Sequence, residues 1–145
     1  MKKQFLTSVA MVAGLFAAGG TAWAHHPFSA EFDSSKTVQL SGTVSKVDWA
    51  NPHAYLFVDV KDDKSGQTSN WKVELGGPNA LTRRGWTQTS IKTGDRVIVN
   101  GWQARDGSHF ANAKDVKLTN GTDLNAASSY YDNDAKDSKK TNSGH

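Results

Sequence analysis

Between Thr37 and Leu118 apolar and polar residues alternate in five short runs, the period-two pattern of strands with one face buried. The sharpest run is Ala54-Tyr55-Leu56-Phe57-Val58-Asp59-Val60. Ala54, Leu56, Val58 and Val60 share one face, and His53, Tyr55, Phe57 and Asp59 share the other. This strand, His53 to Val60, therefore has an aliphatic core face and an aromatic second face headed by an imidazole. Trp49-Ala50-Asn51-Pro52 leads into it. Asn-Pro initiates a turn because Pro52 fixes its own φ and pushes Asn51 out of the helical region.

The run before it, Thr37 to Val47, changes phase. Val38, Leu40 and Val44 fall together, with Gly42 where another side chain is expected, and then Val47 and Trp49 fall in the opposite phase. A phase slip with a glycine inside a strand predicts a bulge or a sharp bend. After a polar turn at 61–67, Ser69 to Leu75 forms a third strand, with Trp71, Val73 and Leu75 inward and Lys72 and Glu74 outward. Pro78 suits a first helical position and Gly85 the residue after a helix end, which predicts a short helix over Pro78 to Arg84. Arg96 to Ala104 is a fourth strand, Asp106-Gly107 a hairpin turn, and Phe110 to Leu118 a fifth strand.

Three strands, a short helix and two more strands is the order of the OB-fold, a small Greek-key barrel. The expected class is thus all-β with one short helix: a five-stranded OB-like barrel. An open five-stranded sheet or a sandwich is the alternative. The bent first strand favours the barrel.

Composition changes this picture at the two ends. Lys2 and Lys3 precede an apolar stretch from Phe5 to Ala18, and Ala22-Trp23-Ala24 fits the small-x-small cleavage pattern of a secretory signal peptide. The apolar stretch is short for a membrane span, so residues 1–24 read as an export signal and the expected location is periplasmic or secreted, with no membrane attachment after cleavage. Loss of Lys2 and Lys3 lowers the formal charge from +3 to +1. A near-neutral mature chain lacks the basic footprint of a nucleic-acid binder. With no cysteine, no disulfide can form. Residues 25–35 read as an N-terminal arm whose Phe28 and Phe32 could dock on the domain, 36–119 as the barrel, and 120–145 as a disordered polar tail.

His25-His26-Pro27-Phe28-Ser29-Ala30-Glu31-Phe32-Asp33, Gly42-Thr43-Val44, Trp49-Ala50-Asn51-Pro52-His53, Gly77-Pro78-Asn79-Ala80-Leu81, Arg83-Arg84-Gly85-Trp86 and Gly94-Asp95 together resemble a family of small exported bacterial proteins classed as a domain of unknown function. The resemblance runs from His25 to Leu118 and implies no activity. Pro27 departs from it, since members usually have Ser there.

Three kinds of chemistry can be weighed on these residues. The first is metal binding. Cleavage after Ala24 would give His25 a free α-amine beside its imidazole, and an α-amine with a pKa near ~8 is partly neutral at neutral pH. Amine, imidazole and a second histidine such as His53 make an all-nitrogen set suited to Cu(II), similar to the histidine brace of copper proteins that begin with His. His26 offers another route through the amine, its own amide and its ring. A site needing a histidine in third place is excluded by Pro27, which has no backbone N–H to give up. The plain reading beside this is a solvated start, with His53 bonded to the turn around Asn51.

The second is a binding module. Tyr55 and Phe57, with Trp49 or Trp102 nearby, could stack on a sugar-like ligand or a periplasmic protein partner, and Arg83 and Arg84 could grip a carboxylate or phosphate. Against this, aromatics more often pack than bind, and arginines at a helix end serve its dipole. The third is an enzyme. No nucleophile–base set, paired carboxylates or phosphate loop is visible, so a non-enzymatic binding protein is expected.

Overall fold

The computed structural model of the chain describes residues 26–132. The expected export signal at residues 1–24, His25 and residues 133–145 lie outside them.

A one-turn helix, α1 (Phe28–Glu31), runs straight into a 17-residue strand, β1 (Phe32–Asp48). Then follow β2 (Tyr55–Lys61), β3 (Thr68–Glu74), the short helix α2 (Pro78–Arg83), β4 (Arg96–Ala104), β5 (Phe110–Leu118) and a three-residue β6 (Asp123–Asn125). β1 pairs antiparallel with both β2 and β4, β2 with β3, and β4 with β5, while β3 meets β5 in parallel. Those pairings close five strands into the expected OB-like barrel, with β6 added to the outer edge of β5.

β1 serves two neighbours because it bends. Gly42 is opposite Val60 of β2 and Val97 of β4 at once, and a Cβ there would run into the Asp59 carbonyl oxygen. Three residues on, the β2 register slips between Val44 and Lys46, which is the bulge the phase change predicts. Past the slip Val47 and Trp49 pack, partly buried, against the same core as Leu40 and Val44. Gly101 in β4 plays a comparable part. Its register with β5 slips, and a Cβ would clash with the backbone oxygen of Asn112.

The barrel interior is filled by Leu40, Val44, Leu56, Val58, Val73, Val97, Val99 and Val116, all buried. Leu75, Leu81 of α2, Trp86 and Ile91 extend this core under the helix. α2 begins at Pro78 as expected, and Gly85, just beyond it, has φ +88°, the left-handed conformation that glycine takes without strain.

Two boundaries differ from the sequence reading. The N-terminal arm, expected to run to residue 35, ends at Glu31, and Phe32 already pairs with Ala104. The tail expected to be disordered from residue 120 is instead ordered through residue 132. β6 pairs with β5, and Ala126, Ala127 and Ser128 are buried. Small residues caused the error. Ala and Ser carry little hydrophobic weight in a composition, yet they fit where backbone meets backbone: Gly76 N–H donates to the Ala126 carbonyl at 2.8 Å, and the Trp86 indole N–H donates to the Asn125 carbonyl at 2.8 Å.

Among the described residues no helix is long and apolar enough to cross a membrane.

Candidate functional site

The outer face of β2 is where the chain concentrates its unusual side chains. Strand pairing places Tyr55 opposite Glu74, and Phe57 opposite Lys72. Glu74 follows the alternation of β3 and so turns away from the barrel interior. Yet it is only 3% exposed, which corrects the expectation that it faces solvent. The cause is a second layer built by both ends of the described chain. Phe28 and Phe32 from the N-terminal side, Trp102 and Ala104 from β4, and Tyr130 from the C-terminal side form a separate cluster over this face. Tyr130 stacks on Trp102 at 4.5 Å and meets Phe28 edge-on at 5.1 Å. Arg105 ties the arm down, its Nε donating to the Ser29 carbonyl at 2.7 Å and its backbone N–H to that of Glu31 at 2.9 Å.

A polar network lies at the edge of this layer. One Glu74 oxygen, Oε2, stands 3.4 Å from Nδ1 of His53, and the other, Oε1, accepts from Asn112 Nδ2 at 3.0 Å. Asn112, fully buried, also donates to Ser129 Oγ at 3.2 Å and accepts from the Ser128 hydroxyl. A buried carboxylate is tolerated when its oxygens are bonded, and here Oε1 meets Asn112 and Oε2 faces His53. The His53 pKa is raised, chiefly by its hydrogen bond to Glu74, against the opposing effect of burial. The charges of Glu31 and Asp132, one from each chain end, raise it further. The Tyr55 hydroxyl is pushed up by burial first and by Glu74 second. An imidazole held through Nδ1 by a carboxylate has a fixed ring orientation.

His53 opens onto a cleft of ≈ 420 Å³ that is also lined by Asn51, Asn79, Arg83, Arg84 and Asp132. The fold thus brings together three of the residues singled out in the sequence: His53, Arg83 and Arg84. It does not assemble the aromatic set. Trp102 is 9% exposed beneath Tyr130, and Trp49 packs on the main core. Lys72 lies over both the Tyr55 ring at 4.2 Å and the Phe110 ring at 5.1 Å, and Lys46 lies over Phe57 at 5.2 Å. His26 is exposed, and His25 lies outside the described residues. Among the described residues no three His, Cys, Asp or Glu side chains converge as a metal site.

Sequence reasoning missed Glu74, Asn112, Ser128 and Asp132. One signal for Glu74 was present: it shares the sheet face of Tyr55 and Phe57, which is too aromatic for a face left to water.

The profile of a family of unknown function, DUF6152, matches residues 12–113. This chain belongs to DUF6152. The match covers the barrel through the β3–β5 closure, ends within β5, and stops short of β6 and the buried 126–128 stretch. The family resemblance read from the motifs holds at that level. Among solved structures the chain is similar to the mitochondrial single-stranded DNA binding protein Rim1 of S. cerevisiae, with 14% identity and a TM-score of 0.46 over 58% of this chain and 93% of that one. No curated protein matches the sequence.

Proposed function

We propose that this DUF6152 protein is an exported, non-enzymatic binding protein whose site is built around His53, with copper the ligand to test first. The observation that carries the reading is the fixed imidazole. His53 Nδ1 stands 3.4 Å from a buried carboxylate that is itself held by Asn112. Metal-ligating histidines are oriented in this way, with a carboxylate behind the ring that sets the tautomer and strengthens the ligating nitrogen.

The remaining ligands would come from the mature start. Cleavage after Ala24 gives His25 an α-amine and an imidazole, and His26 follows it. Together with His53 these are nitrogen donors, the set that favours Cu(II) over harder cations. The Glu31 charge acts on His53, so the arm that carries these histidines runs within electrostatic reach of the ring. Export to the periplasm belongs to this reading, because only cleavage creates the amine.

Native mass spectrometry of the exported protein with added Cu(II) tests it. A chain starting at His25 should hold one copper. His53→Ala, or one extra residue before His25, should abolish that uptake while circular dichroism stays unchanged. Equal uptake by those variants, or no uptake by the wild type, would overturn the reading.

A second reading, a module for a periplasmic protein partner or a sugar-like ligand, is reduced to a smaller surface. Tyr55 and Phe57 each lie under a lysine, and Trp102 lies under Tyr130, so a ligand would have to displace the chain's own side chains.

A further inference from the structure

The cleft beside His53 is lined by charges of both signs that do not pair. Arg83 and Arg84 come from the end of α2, Asn79 from its first turn, Asn51 from the turn before β2, and Asp132 from the end of the described chain. The ion pairs among the described residues are His53 with Glu74 and Lys117 with Asp123, so neither arginine is matched to Asp132 or to any other carboxylate there. Arg84 makes a single long contact, from Nη1 to the Ala80 carbonyl at 3.4 Å, and Arg83 makes no side-chain hydrogen bond among the described residues. Opposite charges on one cleft that stand apart leave room for a ligand that meets both.

We propose that this cleft binds a small carboxylate that also carries a hydroxyl or an amino group. The guanidinium fork matches a carboxylate with two parallel hydrogen bonds, and two adjacent forks can share one. Asn51 and Asn79 add carboxamides, each with two donors and an acceptor. Asp132 adds a negative charge to the same lining. An ionised carboxylate only accepts, so it favours a hydroxyl or ammonium donor and repels a second anionic group such as the far side of a phosphate dianion. The cleft volume, ≈ 420 Å³, lies in the range of small-molecule sites. The proposal uses none of the mature N-terminal nitrogens and stands whether or not His53 takes a metal.

The test is an amide NMR titration of the metal-free protein with lactate, glycine, acetate and inorganic phosphate. Lactate or glycine should bind saturably, about tenfold tighter than acetate or phosphate, with the largest shifts at Asn51, Gly77 and Asn79. Which of the two binds tighter names the second group as hydroxyl or amine. R83A and R84A should each weaken that binding about tenfold, and D132N should bring lactate or glycine down to the acetate value. All three side chains are exposed, so the variants should fold, as circular dichroism will check. Shifts that stay linear to high concentration would overturn the proposal. So would binding indifferent to R83A and R84A, or acetate and phosphate binding as tightly as lactate and glycine.

Discussion

The two packed layers of this molecule are encoded in different ways. Inside the barrel, Leu56, Val58, Val73, Val97 and Val99 meet because each strand alternates, and each run of five to seven residues declares its own inner face. Outside it, Phe28, Phe32, Trp102 and Tyr130 meet although the first and last of them stand at opposite ends of the described chain. No local period connects them. The inner layer makes a barrel, and the outer layer turns one face of that barrel into a site. The outer layer covers Glu74, and a covered Glu74 orients His53.

The strongest way to break this contrast is to end the chain after Thr122. A dispensable tail would leave stability unchanged. The structure predicts a loss on the order of 5 kcal/mol in urea unfolding, because Ala126, Ala127 and Tyr130 lose their packing and Asn112 loses both serine partners. The same truncation should expose Trp102, visible as a red-shifted fluorescence maximum.

Single side chains come next. Phe32→Ala in the outer layer should destabilise by about 3–5 kcal/mol, as much as Leu56→Ala in the barrel at about 2–5 kcal/mol, since both are almost fully buried. Equilibrium urea unfolding compares them directly. A Phe32→Ala effect below that of an ordinary surface change would mean that the outer layer is loosely held.

Gly42→Ala should follow, at about 1–3 kcal/mol, since the new methyl meets the Asp59 backbone rather than a side chain that can move. The thermal midpoint would report it.

The smallest effect is the pH dependence of the His53–Glu74 pair. His53 has a raised pKa when folded, so the stabilisation from its charged form is full below the ordinary histidine value of about 6.5 and fades as pH rises through the raised value. The stability gap between wild type and His53→Gln should therefore narrow as the pH is raised past that point, as urea unfolding at a series of pH values would show.

The barrel was legible because its signals were local. The phase slip around Gly42 became the β1 bulge, Pro78 and Gly85 bracketed α2, and the aliphatic face of β2 lies inward as read. His53, Arg83 and Arg84 were legible as residues, though not as the walls of one cleft. Glu74 was misread because alternation says which face a residue takes and not whether a distant segment covers it. The 123–132 segment was misread for a related reason. Its polar and small residues bury through backbone pairing and through hydrogen bonds to Asn112, neither of which a hydrophobic pattern records.

The central claim is that the two ends of the described chain fix the His53 ring through Glu74. Long-range ¹H–¹⁵N NMR of the His53 ring nitrogens, taken above the raised pKa where the ring is neutral, tests this most directly. A ring held in one tautomer, with its proton on Nδ1 facing Glu74, is the predicted result, and Glu74→Gln should release it. A wild-type ring that exchanges between both tautomers, or one indifferent to Glu74→Gln, would contradict it.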